Sequence, residues 1–106
     1  MSAMPTLQEE TLGDHPRAAS YELALANMEI GLYVDAVGAL ERLLGDTGLS
    51  GADRLLVRYH IGVAYEALNQ PVAAASHLRE VAASDPVHFP DARARVRRLE
   101  SGGSVA

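Results

Sequence analysis

The chain contains no cysteine and no lysine among its 106 residues. Without cysteine there are no disulfides, no thiolate metal sites and no cysteine nucleophile, and cytoplasmic residence is the expectation. Without lysine, Schiff-base chemistry and the lysine of a phosphate-binding P-loop are excluded. All nine basic residues are arginine, the pattern of a genome biased toward arginine and alanine codons. Long apolar runs are missing too, since none approaches the roughly 18 residues that a membrane span needs. The opening stretch MSAMPTLQEETLGDHP has neither a basic start nor an apolar core, so it does not read as a secretory signal.

Hydrophobic residues make up 48% of the chain and charged ones 22%, the balance of one folded domain rather than a disordered segment. Charge is uneven. Residues 1–50 carry eight acids and two arginines, whereas residues 51–106 carry six acids and seven arginines. The net charge of −5 argues against general nucleic-acid binding, because phosphate neutralisation dominates such affinity.

Residues 1–14 read as a flexible, acidic tail; Thr6-x-x-Glu9 suits one capped turn, but nothing apolar follows to hold it. Asp14 suits the cap of a first helix over 15–30, with Pro16 tolerated in its first turn. A second helix follows over 34–45, where Gly38 is a mild penalty or a close-packing site. Ser50-x-x-Asp53 makes a capping box for a third helix over 51–68. Asn69 is suited to the left-handed conformation that ends a helix, and Pro71 to the first turn of a fourth over 71–83. Asp85-Pro86 stops that helix. Pro90 opens a fifth over 90–100, which fades into a flexible tail at 102–106. Five helices and no strand candidate predict an all-α fold.

A shift of 38 residues aligns the two middle pairs of helices. Leu23 falls on Ile61, Ala36 on Ala74, Val37 on Ala75, Leu40 on Leu78 and Leu43 on Val81. Tyr21 falls on Tyr59, and Gly31 on Asn69. Repeats of this length signal stacked helix pairs. In the second copy Ile61-Gly62-x2-Tyr65, Ala74-x3-Leu78-x2-Val81 and Pro86 follow one another at the spacings of the tetratricopeptide repeat (TPR), and the chain resembles a small bacterial-type member of that family. Arg58 departs from the pattern where the family has tryptophan, and Ala24 and Asn27 depart from its glycine and tyrosine in the first copy. The resemblance covers residues 15–101 as one domain, with repeats over 17–48 and 51–86 and a capping helix. It implies a short α-solenoid of two helix-turn-helix units. It also implies that Gly62 and Ala74 let antiparallel helices approach closely, beside Tyr65 and Leu78. Such closeness offsets the roughly 1 kcal/mol that glycine costs within a helix.

Nothing in the sequence carries chemistry. His15, His60, His77 and His88 read as solvated surface residues, and His77-x-x-Glu80 lacks a third metal ligand. No phosphate loop and no nucleophile elbow occurs, so no catalytic residue, metal or cofactor is expected. In the first helix Leu23, Ala24 and Ile30 suffice for packing, which leaves Tyr21, Leu25 and Met28 as a second apolar stripe. Tyr59, Val63 and Glu66 repeat those positions. In TPR proteins such positions line a concave groove for a peptide or partner helix. Tyr21, Leu25, Tyr59 and Val63 stand where carboxylate-clamping members carry lysine and asparagine, so an apolar or amphipathic ligand is implied. Arg93, Arg95, Arg97 and Arg98 of the last helix form a second candidate surface, for an acidic partner. No aromatic residue interleaves them to stack bases. The expected function is a protein-binding adaptor, the alternative a module that self-associates as a homodimer through the apolar groove. Two repeats are fewer than solenoids usually need. The tail, a second copy or a partner is therefore expected to cover the first helix pair.

Overall fold

The computed structural model describes the backbone of residues 16–105 and the side chains of 17–102. Its elements are α1 (Pro16–Glu29), α2 (Tyr33–Leu44), α3 (Gly51–Ala67), α4 (Pro71–Ser84) and α5 (Ala92–Val105). No strand occurs among the described residues, so the fold is all-α. The expected tail over 1–14, the Thr6 turn, the Asp14 cap and His15 lie outside the described residues.

Short-range chemistry accounts for the breaks. Gly31 and Asn69 both have positive φ, +85° and +61°. In each turn the residue after it donates its N–H to the carbonyl five positions back, Leu32 to Asn27 at 2.8 Å and Gln70 to Tyr65 at 3.0 Å. These bonds are the signature of a Schellman ending, and they recur 38 residues apart. Ser50 Oγ accepts the Asp53 N–H at 3.1 Å and caps α3. Arg54 reaches back to the end of α2, donating to the carbonyls of Leu44 and Asp46 at 2.5 and 3.1 Å. Asp46 in turn accepts from Arg17 at 3.2 Å and from the Gly48 N–H at 2.8 Å, so the α2–α3 loop is tied to α1 as well.

The last helix departs from expectation at both ends. Residues Phe89–Asp91 form a turn, with the Ala92 N–H bonded to the Phe89 carbonyl at 3.1 Å, so α5 begins two residues after Pro90. It then continues through Gly102 to Val105 rather than ending near 100. Glycine lowers helix propensity by about 1 kcal/mol, but unlike proline it removes no hydrogen bond.

Each helix packs against the next in chain order. Ala36, Val37, Leu40 and Leu43 of α2 are buried, and so are their counterparts Ala74, Ala75, Leu78 and Val81 of α4. The repeat seen in the sequence is therefore a repeat of burial. Tyr21 meets the His60 ring edge-on at 5.8 Å, which brings α1 and α3 together on one side. Between its neighbours α3 is buried on two faces. Val57 and Ile61 join Tyr21, Ala24, Leu40 and Leu43 in one cluster, while Gly62 faces α4.

The packing of α1 reverses the expectation. Leu23 and Ile30, expected to pack, are 62% and 70% exposed; Tyr21, expected to be free, is 7% exposed and belongs to the core. Leu25 and Met28 pack against the same core. The cause is position in the chain. Ile61 is covered because α1 and α2 precede α3, whereas no described helix precedes α1 to cover Leu23.

Gly62 lies directly beneath Leu78. A Cβ there would stand 2.6 Å from Leu78 Cγ and 2.9 Å from Cδ2, closer than carbon atoms approach. Gly38 is the contrasting case, for a Cβ there would meet only the Arg42 guanidinium at 3.8 Å, so it is not a close-packing site. The two glycines should respond with opposite signs. Gly62→Ala should destabilise by about 1–3 kcal/mol through overpacking. Gly38→Ala should stabilise by roughly 0.5–1 kcal/mol through helix propensity. Urea denaturation of both variants checks the pair; a stabilised Gly62→Ala would refute the close approach.

Candidate interaction surfaces

Side chains of the expected groove are largely occupied by the protein itself. Tyr21, Leu25 and Met28 are core or core-flanking residues of α1. Tyr59 is half-buried: its hydroxyl donates to Asp91 Oδ2 at 2.6 Å and its ring lies 5.1 Å from that of Phe89. Val63 is half-buried beside it on α3. Glu66 does not point to a ligand. It accepts from Arg95 Nη1 at 2.6 Å and from Arg98 Nη2 at 2.9 Å, so two arginines assigned to a separate surface close onto this carboxylate instead. Arg95 also donates from Nε to Asp91 at 2.8 Å. Tyr59, Asp91, Arg95, Glu66 and Arg98 thus form one clasp that holds α5 on α3.

Electrostatics follow this geometry. Burial works to raise the Glu66 carboxyl, but the Arg98 and Arg95 hydrogen bonds outweigh it and hold the group below its usual range. The Tyr59 hydroxyl and then Arg95 lower Asp91 likewise. Arg95 is held more firmly charged than an ordinary arginine, first by Asp91 and then, against its own burial, by Glu66. Of the expected arginine surface only Arg93 and Arg97 are exposed and free of ion pairs among the described residues.

The histidines divide. His88 is exposed and paired with Asp85 at 2.8 Å. His60 and His77 are not solvated as expected. His60 is half-buried between the edges of Tyr21 and Tyr59, and burial lowers its pKa. His77 stacks on Tyr65 at 5.9 Å, while Nδ1 faces Arg58 Nη1 at 3.2 Å. Since arginine only donates, Nδ1 is the acceptor and the neutral ring carries its proton on Nε2. Burial and then Arg58 lower the His77 pKa, against a smaller opposing pull from Glu41. No group of three metal-ligating side chains occurs among the described residues.

The open surface lies elsewhere. Ala19, Leu23, Ala26 and Ile30 follow one another at spacings of four, three and four along the outer side of α1, and all are exposed. Beside them a cavity of about 290 Å³ opens between α1 and α2, lined by Arg17, Ser20, Leu23, Ala39, Arg42, Leu43 and Asp46. The 38-residue shift itself carried the missed signal. Leu23 aligns with Ile61, a residue whose burial requires preceding helices, and the first copy has none described. No described helix is long and apolar enough to cross a membrane.

Comparison with known proteins finds no matching family model, no similar curated protein and no matching solved structure.

The two half-buried histidines fix a pH response. Unfolded histidine takes up a proton near pH 6.5, whereas folded His60 and His77 do so at lower pH. Below pH 6.5 the unfolded state therefore binds more protons, and stability falls with acidification until the folded rings titrate. Melting temperatures measured from pH 7.5 to 5.0 should decline, and the decline should be shallower in His60→Leu. An unchanged slope would place the titration on other groups.

Proposed function

We propose that this protein is a TPR-like adaptor of the cytoplasm that binds another protein through the open side of α1 and the α1–α2 cavity. One observation carries the reading: the apolar row Ala19, Leu23, Ala26 and Ile30 is exposed, while its counterparts Val57, Ile61 and Ala64 are fully buried and Leu68 partly so. Repeat proteins close their ends with helices whose outer sides are polar. Arg93, Arg97 and Arg98 give α5 such a side; on α1 an apolar row runs between the exposed Glu22 and Glu29. The repeated burial and the paired Schellman turns support the TPR likeness. The clasp around Glu66 disfavours the concave stripe as the docking site, because its polar groups already have partners and its tyrosines are packed.

Leu23→Asp combined with Ile30→Asp should keep the native circular dichroism spectrum. Stability should shift by about 0.5 kcal/mol or less, as for substitutions at open positions. Affinity capture from the native cell extract should then recover a partner with the parent chain and lose it with the variant. Tyr59→Ala with Leu25→Ala should instead lower the melting temperature. Identical capture by the parent and the Leu23, Ile30 variant would rule out the α1 surface.

A further inference from the structure

We infer that the occupant of the α1 surface is an amphipathic helix of another protein, built like α2 and flanked by basic residues. The inference rests on the adaptor reading and names its partner. The chain itself shows what such a surface accepts. On α3 the row Val57, Ile61, Ala64 is fully buried, with Val57 and Ile61 in one cluster with Leu40 and Leu43 of α2. Both helices of this kind present one pattern: Ala36-Val37-x2-Leu40-x2-Leu43 in α2, Ala74-Ala75-x2-Leu78-x2-Val81 in α4. Small residues at the start allow close approach, and the later aliphatic ones fill the groove. The α1–α2 cavity, bounded by Leu23, Ala39 and Leu43, offers the same kind of seat one repeat earlier.

Charge selects among occupants. Glu22 and Glu29 border the row on α1 and are exposed without an ion pair among the described residues; at the cavity Arg17 is neutralised by Asp46, and Arg42 lines it unpaired. A second copy meeting this surface about a two-fold axis would set the same acids against themselves. Residues 1–15 contain Glu9, Glu10 and Asp14 and no arginine or lysine, so they add like charge. Nor does another copy have a helix of the required kind to offer, since α2 and α4 each lie between two neighbours of their own chain. A helix with arginine or lysine beside its apolar seam satisfies both the shape and the charge.

The probe is an acetylated, amidated peptide with the sequence of α2 in which lysine replaces Asp35 and Glu41. Titrated into the ¹⁵N-labelled full chain, it should shift the amides of residues 19–30 and 39–43. Replacing Leu40 and Leu43 of the peptide by alanine should weaken binding by about tenfold or more, from the apolar area lost. Leu23→Asp in the protein should abolish the shifts, and Glu22→Gln with Glu29→Gln should weaken binding and reduce its salt dependence. Shifts centred on Val57 and Ile61 would mean that the peptide displaces α2, and would overturn the inference. So would sedimentation showing a dimer that Leu23→Asp dissolves, or nuclear Overhauser contacts from residues 1–15 to Leu23 and Ile30, for these name the other two occupants. Absent peptide binding also overturns it. If the Leu23, Ile30 variant still loses its captured partner, the adaptor reading stands without the helix; if capture is unchanged as well, both fall.

Discussion

Leu78 resting on Gly62 sets the separation of α3 and α4, and much of the remaining structure follows from that separation. With α4 this close, α3 has one face sealed by Leu78 and must place Val57 and Ile61 against α1 and α2 on the other. Tyr65 then lies between the two sides, its ring on His77 of α4 and its hydroxyl donating to Glu41 of α2 at 2.9 Å. The third direction, toward α5, is taken by Tyr59 and Glu66. A helix contacted on three sides has little surface left for a ligand. The same residues that make α3 the centre of the fold thus leave it little open surface.

Local elements were legible in the sequence because their causes are local. Gly31 and Asn69 announce left-handed endings, Ser50 a cap and Asp85-Pro86 a stop, each through chemistry spanning a few residues. The buried sets of α2 and α4 were legible for a different reason: two copies in register constrain each other, so Leu40 and Leu78 identify one position twice. The start of α5 was misplaced because Pro90 suits a turn as well as a first helical residue. Its end was misplaced because glycine weakens a helix without stopping it.

The site was less legible than the fold. In α1 apolar residues occupy two opposite sides, Leu23 and Ile30 on one and Tyr21 and Met28 on the other, and periodicity alone does not say which is covered. Aromatic Tyr21 resembled a binding anchor, yet burial among neighbouring helices raises its hydroxyl pKa to about 12, with the Asp53 charge adding to the effect. Nor does sequence reveal that Arg95 and Arg98 cross 29 and 32 positions to reach Glu66. Four closely spaced arginines read as one charged surface until the fold divides them.

The two ends of the chain's helical array differ in a way that links charge to packing. Helix α5 is anchored by ion pairs that reach back to α3 and α4, Arg95 and Arg98 to Glu66 and Arg79 to Glu100 at 3.0 Å. Exposed pairs of this kind contribute little individually, but the half-buried Arg95–Glu66 contact sits inside a connected network and fixes the orientation of the helix. Arginines are thereby spent at one end on holding a polar cap in place. At the other end the ion pair of Arg17 with Asp46 fastens α1 to the α2–α3 loop and leaves the outer side of α1 uncovered. The acid-rich first half of the sequence and its arginine-rich second half are therefore structural counterparts. The arginine-rich end closes the array on itself, whereas the acidic end leaves Leu23 and Ile30 exposed beside Glu22 and Glu29, which have no ion pair among the described residues.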